Sequence, residues 1–335
     1  MNKRVEWIDA AKAVGILLMI LGHCKYTGDI PRLGIAIYSF HMPLFFIISG
    51  VFLKPLSIKD SWNKYSKAYL KPYAIICLLM FIGTFCLLIL EIVKSDELLV
   101  VIKRVAFGSG SNEDKALFHD VPTVGASWFL LALFWGRVCS SEIKRMEETT
   151  FINPLILSSI LFFIGYISAM YIRLPLSFQV GLCAVPYILI GGLIKQYSVV
   201  DRFNEIKKSY VVLMIIVWLF VIVTMGDGLN MASCRYSEGI VRIPISIFAS
   251  VCLLHLCHRY KLHMFGGIKW LGENTLYILA GHQIFRYFAK LTNFETTSLT
   301  LFLYYVPLKL LLEFFIEVMI AFTIGITIKK LGLFK

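Results

Sequence analysis

Long apolar runs separated by short polar segments follow one another along the whole chain of 335 residues. A helix needs about twenty apolar residues to cross a hydrocarbon core of roughly 30 Å, and irregular backbone is not tolerated in lipid. The pattern therefore predicts an all-α fold: a polytopic transmembrane bundle of about ten helices that forms a single integral-membrane domain over residues 1–335, with no soluble appended domain. The predicted spans are Trp7–His23, Tyr38–Leu53, Pro72–Val93, Val124–Cys139, Phe151–Ile172, Leu174–Ile194, Tyr210–Met225, Ile240–His258, Ile268–Phe288 and a long one within Ser298–Ile328.

Composition supports a membrane protein. Apolar residues make up 58% of the chain and charged residues only 16%, and the mean hydropathy is +0.76. These values exclude a soluble enzyme with one anchor, a secreted disulfide scaffold and a disordered chain. The eight cysteines include no C-x-x-C pair and are expected to pack as small hydrophobic residues.

The positive charge sets the expected orientation. The formal net charge is +12, and most Lys and Arg residues fall on alternate connections between the spans. Because cytoplasmic loops are enriched in Lys and Arg, we expect both termini in the cytoplasm. No basic run is long enough to indicate nucleic acid as a partner. The segment 94–123 is expected outside, as a loop with one short helix.

Three ionisable residues lie in the first span: Asp9, Lys12 and His23. At 100° per residue, Lys12 and His23 share one face of the helix, roughly 16.5 Å apart, and Asp9 can pair with Lys12. Ionisable residues within a span usually face a cavity and serve a function. The alternative is a Lys and a His that reach for the two membrane surfaces.

A second histidine, His41, stands at the predicted start of the second span, just before Pro43, which suits a first helical turn. His23 ends its helix on the same side of the membrane, so the two histidines are expected at similar depth on adjacent helices. They form either a joint site or two unrelated surface histidines. Five lysines follow on the cytoplasmic side. They either line a phosphate-binding vestibule, bind anionic lipid, or reflect only the orientation rule: Lys54, Lys59, Lys64, Lys67 and Lys71.

These residues carry a family resemblance. The chain resembles integral-membrane acyltransferase family three, and within it the fucose 4-O-acetylase-like branch, with Lys12 where the family usually has Arg. The resemblance implies a ten-helix protein that moves acyl groups from cytoplasmic acyl-CoA to glycans or other acceptors, and an essential first-helix histidine. The motifs are Asp9-x-x-Lys12-x10-His23, the block Phe40–Leu53, Lys71-Pro72-Tyr73, Ser127–Leu130, and Leu271–Tyr277 with His282.

Acyl transfer to a hydroxyl needs a base and a donor for the developing oxyanion. His23 or His41 is the expected base, and the other histidine, Ser49 or Trp128 the expected oxyanion donor. No Gly-x-Ser-x-Gly motif is present, which favours direct attack over an acyl-serine, while an acyl-histidine relay stays open. The donor-binding candidates are Lys12, Lys67, Lys71 and Tyr73, and the supporting or substrate-binding candidates are Asp9, Ser49, Trp128, Glu273, Asn274 and His282.

Two other clusters of polar residues each have a functional and a structural interpretation. The group His255, Cys257, His258 and His263 has metal-ligand types but no familiar spacing, so no metal is expected. Lys309, Glu313 and Glu317 repeat every four residues in the last span, which favours a structural ion-pair stripe between helices over a proton relay.

The sequence thus predicts a membrane-embedded O-acyltransferase, more specifically an O-acetyltransferase. It would move an acyl group from acetyl-CoA, or another acyl-CoA, to a hydroxyl of a cell-envelope glycan or glycan precursor. The expected setting is a bacterial-type inner membrane. The alternative is a transporter or flippase of a glycan or small solute, although no repeat relates the two halves of the chain. The acceptor and the acyl chain length cannot be read from the sequence.

Overall fold

The structure is a computed structural model that describes residues 5–112, 121–150, 153–202, 207–224, 229–236, 241–300 and 303–334. The described residues are mainly helical, and their only sheet is a two-residue antiparallel hairpin, β1 (Leu229–Asn230) and β2 (Arg235–Tyr236). The all-α class is confirmed. The helices are α1 (Glu6–His23), α2 (Leu33–Tyr38), α3 (His41–Val51), α4 (Ile58–Tyr65), α5 (Lys71–Ile89), α6 (Asp96–Phe107), α7 (Trp128–Thr149), α8 (Pro154–Tyr171), α9 (Phe178–Gln196), α10 (Val199–Arg202), α11 (Lys208–Thr224), α12 (Arg242–Arg259), α13 (Gly266–Glu273), α14 (Thr275–Leu291) and α15 (Val306–Lys330).

Each segment predicted to cross the membrane contains helix. Within the described residues, five helical stretches are long and apolar enough to cross: Leu33–Val51, Ile58–Ile89, Pro154–Tyr171, Pro175–Gln196 and Val306–Lys330. The first helix has the required length of 18 residues, but it carries the charges of Glu6, Asp9 and Lys12. Ten spans and two cytoplasmic termini stay predictions. The expected short helix in the segment 94–123 is confirmed as α6.

Two predicted spans differ from single helices. The second is preceded by α2, so that its start at Tyr38 is the end of a separate short helix. The ninth is interrupted at Asn274, between α13 and α14. The Asn274 side chain donates to the Trp270 carbonyl oxygen at 2.7 Å and accepts from Lys329 Nζ at 2.6 Å. These bonds provide partners for polar groups at the break. Hydropathy alone does not predict the break.

Helix α9 lies at the centre of one half of the bundle, in contact with α3, α7 and α8. Gly50 of α3 and Gly191 of α9 face each other where these two helices cross, with backbone against backbone. Small residues at a crossing allow such close approach. The arrangement holds α3, and therefore His41 at its start, in a fixed position.

Helix α1 is held in the other half of the bundle by α3, α12 and α13, and α14 packs along α15. At one end of α1, Lys269 Nζ donates to Glu6 at 2.6 Å. At the opposite end, the backbone N–H of Lys25 donates to buried Glu313 at 2.8 Å. Both ends of α1 are therefore tied to other helices, which fixes the positions of Lys12 and His23.

Several helices expose large apolar side chains along one face. Examples are Ile164 of α8, Phe220 of α11 and Phe315 of α15, each more than half exposed. Apolar surface of this kind suits contact with lipid. Together with the long apolar helices, it indicates an integral membrane protein.

Candidate active site

A cavity of about 560 Å³ opens between α1, α3, α7 and α14 and reaches the β1–β2 hairpin. Five residues proposed from the sequence line it. They are Lys12, His23, His41, Ser49 and Trp128. The remaining wall is largely apolar, with Ile16, Met19, Phe45, Phe129 and Leu279 among its residues.

The two predicted histidines meet at one end of this cavity, where α1 ends at His23 and α3 begins at His41. Tyr38 lies between them, with ring centroids 6.3 Å from His23 and 5.1 Å from His41. His41 Nδ1 is 2.9 Å from the Ile37 carbonyl oxygen. Since a carbonyl only accepts, Nδ1 carries the proton in this bond, and the neutral ring leaves Nε2 as an acceptor. Both histidines therefore lie in the wall of one cavity, near the Tyr38 ring.

His282 completes a group of three histidines. Its ring stacks on that of His23, with centroids 5.4 Å apart and an interplanar angle of 29°. On its other side, His282 Nδ1 lies 3.6 Å from a carboxylate oxygen of buried Glu317, whose other oxygen accepts from Arg286 at 2.9 Å. Glu317, one of the charges of the last span, therefore pairs with α14 rather than along its own helix.

A second cavity, of about 530 Å³, lies beyond His23, between α14, α15 and the segment that follows α1. His23 is part of both cavity walls, whereas His282 lines only this second one. We call the first the inner cavity and the second the outer cavity. His23 is thus shared by the walls of the two cavities.

Lys12 lies at the far end of the inner cavity from His23. Its Nζ is 3.1 Å from a carboxylate oxygen of buried Asp9. This contact confirms the predicted pair. The same Nζ is 6.0 Å from the centre of the Phe52 ring, and Lys195 Nζ is also 6.0 Å from that ring. Two cations therefore flank Phe52 at this end.

A smaller cavity, of about 300 Å³, lies next to Phe52 and contains Lys54, Lys64, Arg137 and Lys195 in its wall. Arg137 is buried and also lines the inner cavity. It donates to the carbonyl oxygens of Ser49 and Phe52, the latter at 3.1 Å, and to Tyr65 Oη at 2.8 Å. Its guanidinium fixes the end of α3 beside this basic cavity.

Three donor-binding candidates lie elsewhere. Lys67 and Lys71 are exposed, and neither lines the inner cavity or the basic cavity beside Phe52. Tyr73 is buried, and its hydroxyl donates to the Val105 carbonyl oxygen at 2.8 Å, which joins α5 to α6. Their role in donor binding stays a prediction. Lys54, Lys64 and Lys195 are closer to the cavities.

The remaining candidates also differ in position. The Ser49 hydroxyl donates to the Phe46 carbonyl oxygen at 2.8 Å within its own helix, so its proton is already used. Trp128 is buried in the wall of the inner cavity. Glu273 is exposed, and Asn274 serves the break between α13 and α14. Neither Glu273 nor Asn274 lines the inner cavity, although the adjacent Thr275 does.

The possible metal ligands are also placed. Among the described residues, Cys24, Glu313 and Glu317 bring three ligand atoms within 4.8 Å of one another. Both oxygens of Glu313 accept backbone N–H groups, from Lys25 at 2.8 Å and from Tyr26 at 3.2 Å. Arg286 donates to Glu317, so that both carboxylates have hydrogen-bond donors without a metal ion. His258 and His263 instead approach Asp201 and Glu6, at 3.5 and 3.7 Å.

The site also includes residues that the sequence interpretation missed, namely Tyr38, Arg137 and Arg286. From the sequence, Arg137 counts only as one of the basic residues on the cytoplasmic side. It lies inside the predicted span Val124–Cys139, however, and a charge inside a span is itself a signal of function. Tyr38 carried no comparable signal, because one tyrosine near a span end is typical of the membrane interface.

Comparison with known proteins gives one match. A family model described as an acyltransferase domain, acyltransferase family three, matches residues 5–330. No curated protein and no solved structure matches significantly. The matched range runs from the start of α1 to the end of α15, and includes every residue of the inner cavity.

Proposed function

Because the chain belongs to acyltransferase family three, we propose that it is a membrane-embedded O-acetyltransferase. It moves the acetyl group of cytoplasmic acetyl-CoA to a hydroxyl of a cell-envelope glycan or glycan precursor, in a bacterial-type inner membrane. The fucose 4-O-acetylase-like branch is part of this proposal. The observation that carries it is the position of His23 in the walls of two cavities.

The basic end of the inner cavity suits the donor. Lys12 lies in the wall of the inner cavity, and Lys54, Lys64 and Lys195 lie in the wall of the neighbouring basic cavity beside Phe52. Such ammonium groups attract the phosphates of CoA. The apolar wall between Lys12 and His23 suits the pantetheine arm and the acyl group. Along α1 these two residues are roughly 16.5 Å apart, a length that an extended arm can bridge. The thioester would lie near His23.

The acceptor enters the outer cavity in this proposal and meets the thioester at His23. His23 takes the proton of the acceptor hydroxyl as its oxygen attacks the thioester carbonyl carbon. The carbon–sulfur bond then breaks, and the departing CoA sulfur receives the proton from the imidazolium. His41 and Trp128 are the candidates to stabilise the developing oxyanion. In the alternative relay, His23 itself carries the acyl group between the two cavities.

The transporter alternative has less support. A transported solute requires one pathway that opens alternately to either side, whereas a histidine shared by the walls of two cavities suits group transfer between two substrates. Family membership also favours the enzyme.

The test uses the purified full-length chain in lipid nanodiscs with radiolabelled acetyl-CoA and an envelope extract as acceptor. We expect label in an alkali-labile product with the wild type and none with His23→Ala. A quenched reaction without acceptor separates the two routes, because label on the wild-type protein that is lost in His23→Ala indicates the relay. Accumulation of unmodified glycan in vesicles, without consumption of acetyl-CoA, would support the transporter instead.

A further inference from the structure

The outer cavity contains more positive than negative side chains. Three carboxylates line it, and each already has a partner. The pairs are Lys25 Nζ with Glu295 at 2.9 Å, the backbone N–H groups of Lys25 and Tyr26 with Glu313, and Arg286 with Glu317 at 2.9 Å. The hydrogen bond from Lys25 lowers the pKa of Glu295 below its ordinary value, which keeps that carboxylate charged. Two further cations line the same cavity, Arg104 and Lys290.

Within the part of the chain that the structure describes, Arg104 lies in the wall of the outer cavity against an aromatic ring and not against a carboxylate. Its guanidinium carbon lies 5.3 Å from the centre of the Tyr287 ring, and Tyr287 is fixed by a 2.6 Å hydrogen bond with Thr84. Among the described residues, the buried Nε of Arg104 has no hydrogen-bond partner, and no carboxylate forms an ion pair with the guanidinium.

A partly buried guanidinium without a counter-charge is unfavourable, because desolvation is not offset by an ion pair. Stacking on an aromatic ring stabilises it only in part. The planar donors of Arg bind a carboxylate or a phosphate through two parallel hydrogen bonds. The geometry therefore suits an anion that enters with the ligand of this cavity.

We propose that the acceptor carries an anionic group next to the hydroxyl that is acylated, and that Arg104 binds this group, with Lys290 at the rim. The inference rests on the proposed function, since it assigns the acceptor to the outer cavity. The shared chemistry is a carboxylate or phosphate oxygen pair. Its source is either a uronic-acid carboxylate of a glycan or the phosphate that links a sugar to a lipid carrier.

The experiment uses the full-length chain in nanodiscs, radiolabelled acetyl-CoA, and graded amounts of an envelope extract from cells that lack the gene. Labelled product is passed over an anion exchanger. Carbodiimide treatment neutralises carboxylates, and mild acid cleaves sugar–phosphate–lipid linkages, so that the two treatments separate the two sources. The variants are Arg104→Gln, Arg104→Lys and, as a matched control, Lys103→Gln, which removes the same charge at an exposed neighbour outside the cavity.

We expect the product to bind the exchanger. Arg104→Gln should raise the amount of extract for half-saturation by about 10-fold or more, as expected for a lost hydrogen bond to a charged group, and high extract should restore labelling. Arg104→Lys should recover part of the affinity, and Lys103→Gln should match the wild type. A neutral product, or an unchanged half-saturation in Arg104→Gln, overturns the inference but not the proposed function. Wild-type labelling no greater than that of His23→Ala overturns the proposed function itself.

Discussion

The His23 imidazole stacks on the His282 imidazole, with ring centroids 5.4 Å apart, at the boundary between the inner and outer cavities. His282 is in turn next to the buried carboxylate of Glu317. This carboxylate lies close enough to stabilise positive charge on the histidine pair while His23 holds a proton. In the proposed mechanism, His282 would therefore position His23.

The first prediction concerns the base. His23→Ala should lower the rate of acyl transfer by about 10²–10⁴, the typical cost of losing a general base. The protein should still insert and fold, because His23 lies in a cavity wall and little packing is lost. The measurement is the initial rate of labelled acetyl transfer, together with a size-exclusion profile of the purified variant.

His282→Phe provides the comparison, because Phe preserves a stacked ring and removes the nitrogen near Glu317. We expect a smaller loss of rate than in His23→Ala, and a change in its pH dependence. A well-folded His23→Ala protein with wild-type activity would transfer the role of base to His41, whose Nδ1 is bonded to the Ile37 carbonyl oxygen, which leaves Nε2 as the ring's acceptor.

The second prediction concerns the donor. Lys12→Ala should raise the KM for acetyl-CoA by about 10-fold, because an ammonium group that binds phosphate contributes to substrate and transition-state binding alike. Lys12→Arg should remain close to the wild type, since it keeps the positive charge. Donor saturation curves, with free CoA as a competitor, measure both effects.

Lys71→Ala separates the sequence prediction from the structure. The sequence places Lys71 with Lys12 in donor binding, whereas the structure places Lys71 on an exposed surface outside the inner cavity. We therefore expect a smaller change in donor KM than for Lys12→Ala. Equal effects of the two substitutions would restore Lys71 to the donor site.

The sequence could predict the part of the site that depends on one helix. Lys12 and His23 share a face because of helical periodicity alone, and both line the inner cavity. His41 follows from Pro43 and the start of α3. The contacts of Glu317 with His282 and Arg286 depend on the packing of α14 against α15, which hydrophobic periodicity does not specify. The ladder along the last span predicted an ion-pair stripe between helices but could not name these partners.

The break at Asn274 shows a second limit. Hydropathy averages over many residues, and a single polar residue between two apolar stretches does not end a predicted span. The structure ends α13 there, and the Asn274 side chain adds bonds to Trp270 and Lys329 to the bond between its backbone N–H and the Trp270 carbonyl oxygen. The polar residue Asn274 is a signal for a break in the span, but a single polar residue is too weak a signal to predict one.

The third prediction tests the crossing of α3 and α9. A Cβ atom at Gly191 would meet the Ile47 carbonyl oxygen and lie 2.9 Å from the Gly50 Cα, so that the backbones would have to separate. We expect Gly191→Ala to destabilise the protein by about 1–3 kcal/mol. The adjacent Gly192→Ala has its nearest contact at 3.7 Å and should be neutral or slightly stabilising, through helix propensity. Thermal unfolding of the two purified variants compares them, and equal midpoints would contradict this packing.

The fourth prediction concerns the sides of the membrane. If both termini are cytoplasmic, α4 faces the cytoplasm and the mouth of the outer cavity faces outside. A cysteine at exposed Asn63 should then react with an impermeant maleimide only after the membrane is opened. A cysteine at exposed Asn293, which lines the outer cavity, should react in intact cells. The background must lack all eight native cysteines, because Cys86 is exposed.

Ser111 in the loop after α6 is a poorer reporter, because it is 9% exposed and its carbonyl oxygen accepts from Arg173. Labelling of Asn293→Cys only from the cytoplasm would place the outer cavity on the same side as the basic cavity beside Phe52. Donor and acceptor would then approach from one side, and the acyl group would not need to cross the membrane. Labelling from outside, with protection of Asn293→Cys by the acceptor extract but not by acetyl-CoA, would instead support separate entry of the two substrates at His23.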